Sequence, residues 1–509
     1  MKKILYTLVF LLVWASCVHA NAAEDMVTIP MADYKAILDK LDSLQKQVDV
    51  LKEDREAPRR QPPAVAQPAA DSGEDDQARE MSDIYDVLDT VETRSLMDRI
   101  DFGAELRTRV DNFKVENHAL LDTSNPAAPP KLVGLRDDSN DNHWSNRFRL
   151  NMSADIMEGL TFNGRLTVFK NWGDNDPSNM FGDFNAAHVP DDSTVKLDRA
   201  YVDWVPENSP IPVALTFGRH PSTEGPPAEF KENRQRQSTY PSLIFDAESE
   251  GVVVTFGLER YLGLRNSGLR FAYGKIFQSD DNMDSYLDEL NSVDDVNIGA
   301  VFFETEIPSL DESLLVLSYI KTFGMVDNPL APNIDIGDLE LFGLHGQAFN
   351  LFDSGLDFFA SFGLDRGHAN GGSIPFLQVP DGAGGFNMVN GGLLSMFGEK
   401  DQTGYSIYSG LRYNIASDKL HNPKIGFEYN YGSQYWFSFT TGAELFNKLA
   451  VRGHVYDFYY IQPFNRYLFL RLGYTLVNYD YTGSGNHIGQ PMDSDAKLRH
   501  FSAMLDCRF

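Results

Sequence analysis

Past its first two dozen residues the chain has no apolar run near the ~18–20 residues that a membrane-spanning helix needs. Cysteine is almost missing: Cys17 and Cys507 are the two. If a leader containing Cys17 is removed, Cys507 stands alone. That excludes an internal disulfide and any cysteine-based zinc or haem spacing. Basic residues are outnumbered, 44 Lys and Arg against 73 Asp and Glu, for a formal net charge of −29. A chain so acidic is a poor partner for nucleic acid, whose phosphates call for basic patches. No glycine-rich phosphate loop joins a strand to a helix, and the eleven histidines fall at no metal-ligand spacing. No cofactor and no metal are expected.

What is present begins with a leader. Met1-Lys2-Lys3 is followed by an apolar stretch from Ile4 to Trp14 and by small residues, with Ala20 and Ala22 as cleavage positions. That order reads as a secretory signal peptide over 1–22. Lipidation at Cys17 is the weaker alternative, because Trp14 stands where such a signal wants leucine. Tyr34, Ile37, Leu41, Leu44, Val48 and Leu51 alternate by three and four, which predicts a short coiled coil over 31–55. A single amphipathic helix is the alternative. The segment 56–81, containing APRRQPPAVAQPAADSGEDDQ, has the composition of a disordered linker. A second amphipathic helix is expected over 82–98, with Ile84, Leu88 and Val91 on one face.

From residue 99 to the end the period changes to two. Phe102, Ala104, Leu106 and Val110 alternate with Gly103, Glu105, Arg107 and Arg109. Trp144, Phe148, Leu150, Met152, Ala154 and Ile156 alternate with Ser145, Arg147, Arg149, Asn151, Ser153 and Asp155. After a turn at Met157-Glu158-Gly159, Leu160, Phe162, Leu166 and Val168 alternate with Thr161, Asn163, Arg165 and Thr167. These runs reach the ~9–11 residues of a tilted membrane-crossing strand, longer than the about five or six of an ordinary sheet. Slipping the second run by one residue would turn Arg147 and Arg149 toward lipid. Each would then cost roughly 2–4 kcal/mol near the midplane. The arginines are therefore expected to face an aqueous lumen.

Thirteen further strands are expected near 195–205, 212–220, 250–258, 267–277, 296–306, 313–321, 338–349, 356–365, 403–414, 424–432, 449–461, 466–478 and 497–509. The total is sixteen, and the fold class is all-β: a transmembrane antiparallel β-barrel. Short connections at 206–211, 308–312, 352–355 and 462–465 alternate with long ones at 113–142, 173–193, 365–402 and 480–495. Outer-membrane barrels have short periplasmic turns and long outer loops. The even count places both barrel ends, and the N-terminal coil, in the periplasm. In the last strand Phe501, Ala503, Leu505, Cys507 and Phe509 alternate with Ser502, Met504, Asp506 and Arg508. A terminal aromatic on an alternating strand resembles the signal read by the barrel-assembly machinery, and Phe509 is its candidate.

The third long connection, HPSTEGPPAEFKENRQRQSTYPSL over 220–243, carries charge of both signs and four prolines. In sixteen-stranded porins the third loop folds into the barrel. By that resemblance Glu224, Glu229, Lys231, Glu232, Arg234 and Arg236 are candidates for a pore constriction; an ordinary surface loop is the alternative. Arg107, Arg109, Arg147, Arg149 and Arg165 form a basic ladder on three neighbouring strands. It reads either as a cationic strip that attracts anions or as a structural network paired with Glu105, Asp111 and Asp155. The acidic stretch 278–296 matches no defined calcium loop and reads as a solvated loop.

The stretches NHWSNRFRLNM, LTFNGRLTVFKNWGD, KLDRAYVDWVPENSPIPVALTFGRHPSTEGPPAEFKENRQRQSTYPSLIFDAE and PKIGFEYNYGSQYW resemble a porin-like outer-membrane family. That family is described as a domain of unknown function of Gram-negative, largely metal- and sulfate-reducing bacteria. The resemblance covers about 80–509. It implies an outer-membrane barrel and carries over no functional residue. The expected function is a porin-like channel in the outer membrane for passive diffusion of small hydrophilic solutes or ions, working as a homotrimer. The alternative is the barrel sheath of an outer-membrane electron conduit, with a partner cytochrome supplying the haem. An enzyme barrel is not expected, because no Ser/His/acid group can be assembled.

Overall fold

A computed structural model describes residues 99–125, 128–172, 194–207, 209–277, 295–327, 334–440 and 445–509. The expected leader, coiled coil, linker and 82–98 helix lie outside the described residues, as does the acidic stretch 278–294.

Period-two patterning commits each segment to a strand with one apolar and one polar face. One antiparallel sheet of sixteen strands results, with a side hairpin, Ile374–Pro380 and Phe386–Gly391. In chain order the barrel strands are β1 Ile100–Asp122, β2 Lys131–Met157, β3 Leu160–Asn171, β4 Thr194–Trp204, β5 Val213–His220, β6 Ser249–Gly257, β7 Gly268–Phe277 and β8 Val296–Thr305. They continue as β9 Ser313–Val326, β10 Asp335–Ala348, β11 Leu356–Ala369, β12 Gln402–Asn414, β13 Lys424–Gly432, β14 Gly453–Pro463, β15 Leu468–Tyr479 and β16 Lys497–Arg508. All sixteen overlap the expected runs. β16 pairs with β1 from Glu105↔Arg508 to Glu116↔Lys497, so no sheet edge is left open. Phe509 extends the seam: its N–H donates to the Ala104 carbonyl and its carbonyl accepts from Ala104, each at 3.0 Å.

The register puts the arginines inside and the large apolar side chains outside. Phe148 and Leu106 are exposed, whereas Arg147 and Arg107 between them are buried. Phe162, Phe217, Val252, Phe271, Leu317, Phe342, Phe362, Ile407, Phe458, Phe501 and Leu505 continue the outward apolar surface around the barrel. A soluble monomer rarely exposes more than a few hundred Å² of contiguous apolar surface; a belt on every strand is the outer face of a membrane barrel. Short turns collect at one rim. The β2–β3 turn needs Gly159, which sits at φ +74, where an added Cβ would lie 2.3 Å from the Val205 carbonyl.

Two expected long loops are differently built. β1 and β2 run on past residue 113 and pair as far as Asp122↔Lys131, so most of 113–142 is a hairpin standing beyond the rim. Register shifts between Asp111 and Phe113, Val115 and His118, and Leu120 and Leu121 break the alternation there, so the period-two signal that marks a strand is lost. Likewise 365–402 holds the end of β11 and the side hairpin. The strand expected from 449 begins at Gly453, because Lys448–Ala450 forms a 3₁₀ turn capped by the Asn447 side chain.

The packed core lies inside the barrel, against β8–β12. Phe230, Leu243 and Ile244 from the β5–β6 loop meet Trp436 and Phe437 from the β13–β14 loop, over Ile320, Leu339, Leu341 and Phe359 of the wall. Most of the buried charge lies on the remaining wall, β1–β4 and β13–β16.

Candidate functional site

Loop 221–248, the third on the long-loop rim, enters the barrel and crosses it. Its short helix α1, Ala228–Glu232, is tied to walls on opposite sides. The Glu229 carboxylate accepts from the Gln347 side chain of β10 at 2.6 Å, and the Glu229 and Phe230 carbonyls accept from Arg412 of β12. The Lys231 ammonium lies 2.6 Å from Asp457 of β14. Glu232 holds Arg107 of β1, Arg471 of β15 at 2.9 Å and Arg508 of β16 at 3.1 Å. Beyond the helix, Arg234 bonds Glu105 of β1 at 3.0 Å and Glu224 of its own loop, and Arg236 reaches Glu304 of β8 at 3.3 Å. All six constriction candidates thus lie inside the barrel, and each is spoken for by a hydrogen bond or an ion pair.

Loop 433–452 braces the first loop. Phe439–Thr440 pairs in parallel with Phe245–Asp246, and Trp436 is wholly buried with its indole N–H on the Leu449 carbonyl. Arg452 donates to the carbonyls of Trp436, Thr482, Gly483 and Asn486, which ties this loop to 480–492.

The five ladder arginines face these loops. Arg107 stands directly opposite Arg147, and Arg165 opposite Arg199. Like charges facing across strands destabilise a sheet, so carboxylates must lie between them. Arg107 bonds Asp506 at 2.7 Å besides Glu232. Arg109 forks onto Asp111 at 2.5 and 2.7 Å, and Asp111 also takes His500 at 2.7 Å. Arg149 bonds Glu224 at 2.7 Å, and Arg165 bonds Asp198 at 2.5 Å. Arg147 is the exception: 3% exposed, it lies 3.7 Å from both Glu105 and Glu224, and none of its guanidinium nitrogens makes a hydrogen bond. Of the three carboxylates expected to pair with the ladder, Glu105 and Asp111 do so. Asp155 instead accepts from Thr161 near the turn rim, at 2.9 Å.

Five of these residues are not marked as partners by the sequence. Asp198 turns inward because a β-bulge between Arg165 and Leu166 lets it and Arg199 face the lumen together. Strict alternation would put one of the two on the lipid face. Asp506 and Asp457 have lumen parity, but nothing local marks Arg107 and Lys231 as partners, 399 and 226 residues away. Trp436 and Arg452 sit in a connection with no patterning to read.

Electrostatics in the loops follow from these partners. Burial alone would raise the Glu224 and Glu232 carboxyls. Arg149, Arg234, Arg147 and Arg165 around the first, and Arg107, Arg471 and Arg508 around the second, hold both well below the ordinary carboxylate value. Burial lowers the Lys231 ammonium in spite of Asp457. Lys448 is buried too, yet Asp457 and Glu428 hold it well above its usual value. Asp246 is the opposite case. Burial, with Glu224 and Glu248 nearby, pushes its carboxyl up to about 7, although the Glu224 N–H donates to it.

A family model described as "Protein of unknown function (DUF3373)" matches residues 137–506. No curated protein matches the chain. Among solved structures the chain is similar to OprB of Pseudomonas putida, at 13% identity and a TM-score of 0.43, over 82% of this chain and 96% of that one. It is similar to an anion-selective porin of Comamonas acidovorans at 9% identity and a TM-score of 0.42, over 81% and 99%. It is also similar to OmpF of Salmonella typhi, in complex with daunomycin, at 12% identity and a TM-score of 0.41, over 81% and 97%.

Proposed function

The chain belongs to the family described as a protein of unknown function, DUF3373, and from that premise we propose that it is an outer-membrane porin-like channel for passive diffusion of small hydrophilic solutes or ions. The observation that carries the reading is a charged loop held inside the barrel. Loop 221–248 spans the lumen and is held there by ion pairs to β1, β8, β14, β15 and β16. A soluble sheet has no use for charges on its inner face, and a lipid-filled barrel could not hold them. A water-filled passage along the charged half of the wall accounts for both.

In this reading Glu224, Glu229, Lys231, Glu232, Arg234 and Arg236 build the constriction. The long loops face outward from the cell, and the turns, both barrel ends and the N-terminal coil face the periplasm. Three copies assemble through that coil and the lipid-facing walls. No catalytic group, cofactor or energy source is required. The conduit reading is weaker, because a sheath for a partner cytochrome needs the lumen that Phe230, Leu243, Ile244 and Trp436 fill.

Pure folded protein in planar bilayers should give discrete conductance steps. If folded protein gives none, the channel reading is wrong.

A further inference from the structure

A cavity of about 120 Å³ lies between α1, the 445–449 segment and the charged wall. At ~10–15 Å³ per water centre it has room for roughly eight to twelve waters, or a solute of about eight heavy atoms. Its charged lining is balanced, with four basic side chains and four carboxylates; it stays within one charge of neutral whichever state Asp246 takes. The charges are already matched in pairs. Lys448 holds Glu428 and lies 2.8 Å from Asp457, and Arg471 holds Glu232. Glu428 is buried, with one oxygen on Lys448 and the Tyr408 hydroxyl and the other, Oε1, without a hydrogen bond. Of the remaining lining, Ser242, Asn447, Thr475 and Ser502 are polar, while Leu445, Phe446 and Leu449 form one apolar patch. Leu445 is 44% exposed inside the barrel, and Phe446 stands edge-on to His500 at 5.4 Å.

This combination discriminates by charge type. A simple anion or cation entering the cavity must stay uncompensated or break a pair in a site of low dielectric. A molecule carrying both charges can add its ammonium to a carboxylate such as Glu428 and its carboxylate to Lys448 or Arg471. Its net charge is zero, and an apolar side group would cover Leu445 and Phe446. We propose that the cavity is a binding subsite for small zwitterions with an apolar side group, the chemistry of a free α-amino acid. The proposal deepens the channel reading and rests on it for the route by which the solute arrives.

The test compares three probes with one apolar body: L-valine, isobutyrate and isobutylammonium. Each is titrated by calorimetry into the full-length protein folded in detergent. Valine should bind at least about tenfold more tightly than either singly charged analogue, a difference of about 1.4 kcal/mol. Glu428→Gln removes one negative charge and should move the preference toward isobutyrate; Lys448→Gln should move it toward isobutylammonium. A merely structural pair would weaken all three probes alike. If a variant does not fold, the wild-type comparison still decides. Equal binding of either analogue, or no valine binding at roughly 100 mM, overturns the proposal. Valine binding without conductance steps tells against the channel alone, and conductance without valine binding tells against the subsite alone.

Discussion

Replacing Glu224 by Gln removes one charge from the most crowded point of the lumen and leaves the shape nearly unchanged. The carboxylate accepts from Arg149 at 2.7 Å and from Arg234. It also lies 3.7 Å from Arg147 and 3.6 Å from Arg165. Two charge-assisted hydrogen bonds at about 1.5–3 kcal/mol each give about 3–6 kcal/mol. Breaking a buried pair from one side costs about 3–5 kcal/mol, because the remaining charges stay buried without compensation. The two figures agree, and about 3–5 kcal/mol is taken from the anchorage of loop 221–248. The barrel itself should hold, since its strand pairing does not involve Glu224. The loss therefore appears as local opening of the loop. Trypsin cleavage after Lys231 or Arg234 in the detergent-folded protein reads that opening directly, since both side chains are paired in the intact loop. The expected acceleration is about 10²–10⁴-fold where cleavage follows the open population. Bilayer reversal potentials should shift toward anions in the same variant. Glu224→Asp, which keeps the charge, should recover much of the protection. Wild-type cleavage rates and selectivity in a folded Glu224→Gln protein would refute the idea that the loop is held by its carboxylates.

Two further outcomes follow from the same network. Arg147→Met should leave the unfolding free energy from urea titration within about 1 kcal/mol of wild type or raise it. The Arg147 guanidinium makes no hydrogen bond and faces Arg107, whereas Arg107→Met should cost about 3–5 kcal/mol by taking a bonded arginine from both Asp506 and Glu232; equal losses in both would contradict the pairing described. Asp246, with its carboxyl raised to about 7, favours the folded loop when protonated. Its contribution is fully present below the unfolded value near 3.9 and is lost as pH rises through about 7. Loop protection against trypsin, corrected for the enzyme's own pH dependence, should thus fall between pH ~4 and ~8, and Asp246→Asn should abolish that slope; a slope unchanged in Asp246→Asn would assign it to another group.

The sequence alone determined the barrel. Period-two alternation is a local property of the backbone: once Phe148 and Leu150 must face lipid, Arg147 and Arg149 must face inward, whatever the rest of the chain does. The inward ladder follows from that parity, and the strand number from counting the alternating runs. The candidate residues of loop 221–248 were visible because prolines and mixed charge mark the segment.

Tertiary structure decided what those charges are for. Whether the ladder is an open cationic strip or a paired network depends on carboxylates distant in sequence. Glu232 meets Arg107 across 125 residues, and Asp506 meets it across 399. The inward turn of both Asp198 and Arg199 depends on a bulge that breaks the parity rule. The apolar half of the lumen depends on Trp436 and Ile244 meeting from two loops. No local pattern encodes these encounters, because a long-range pair is fixed only when barrel closure brings the two wall positions to the same height.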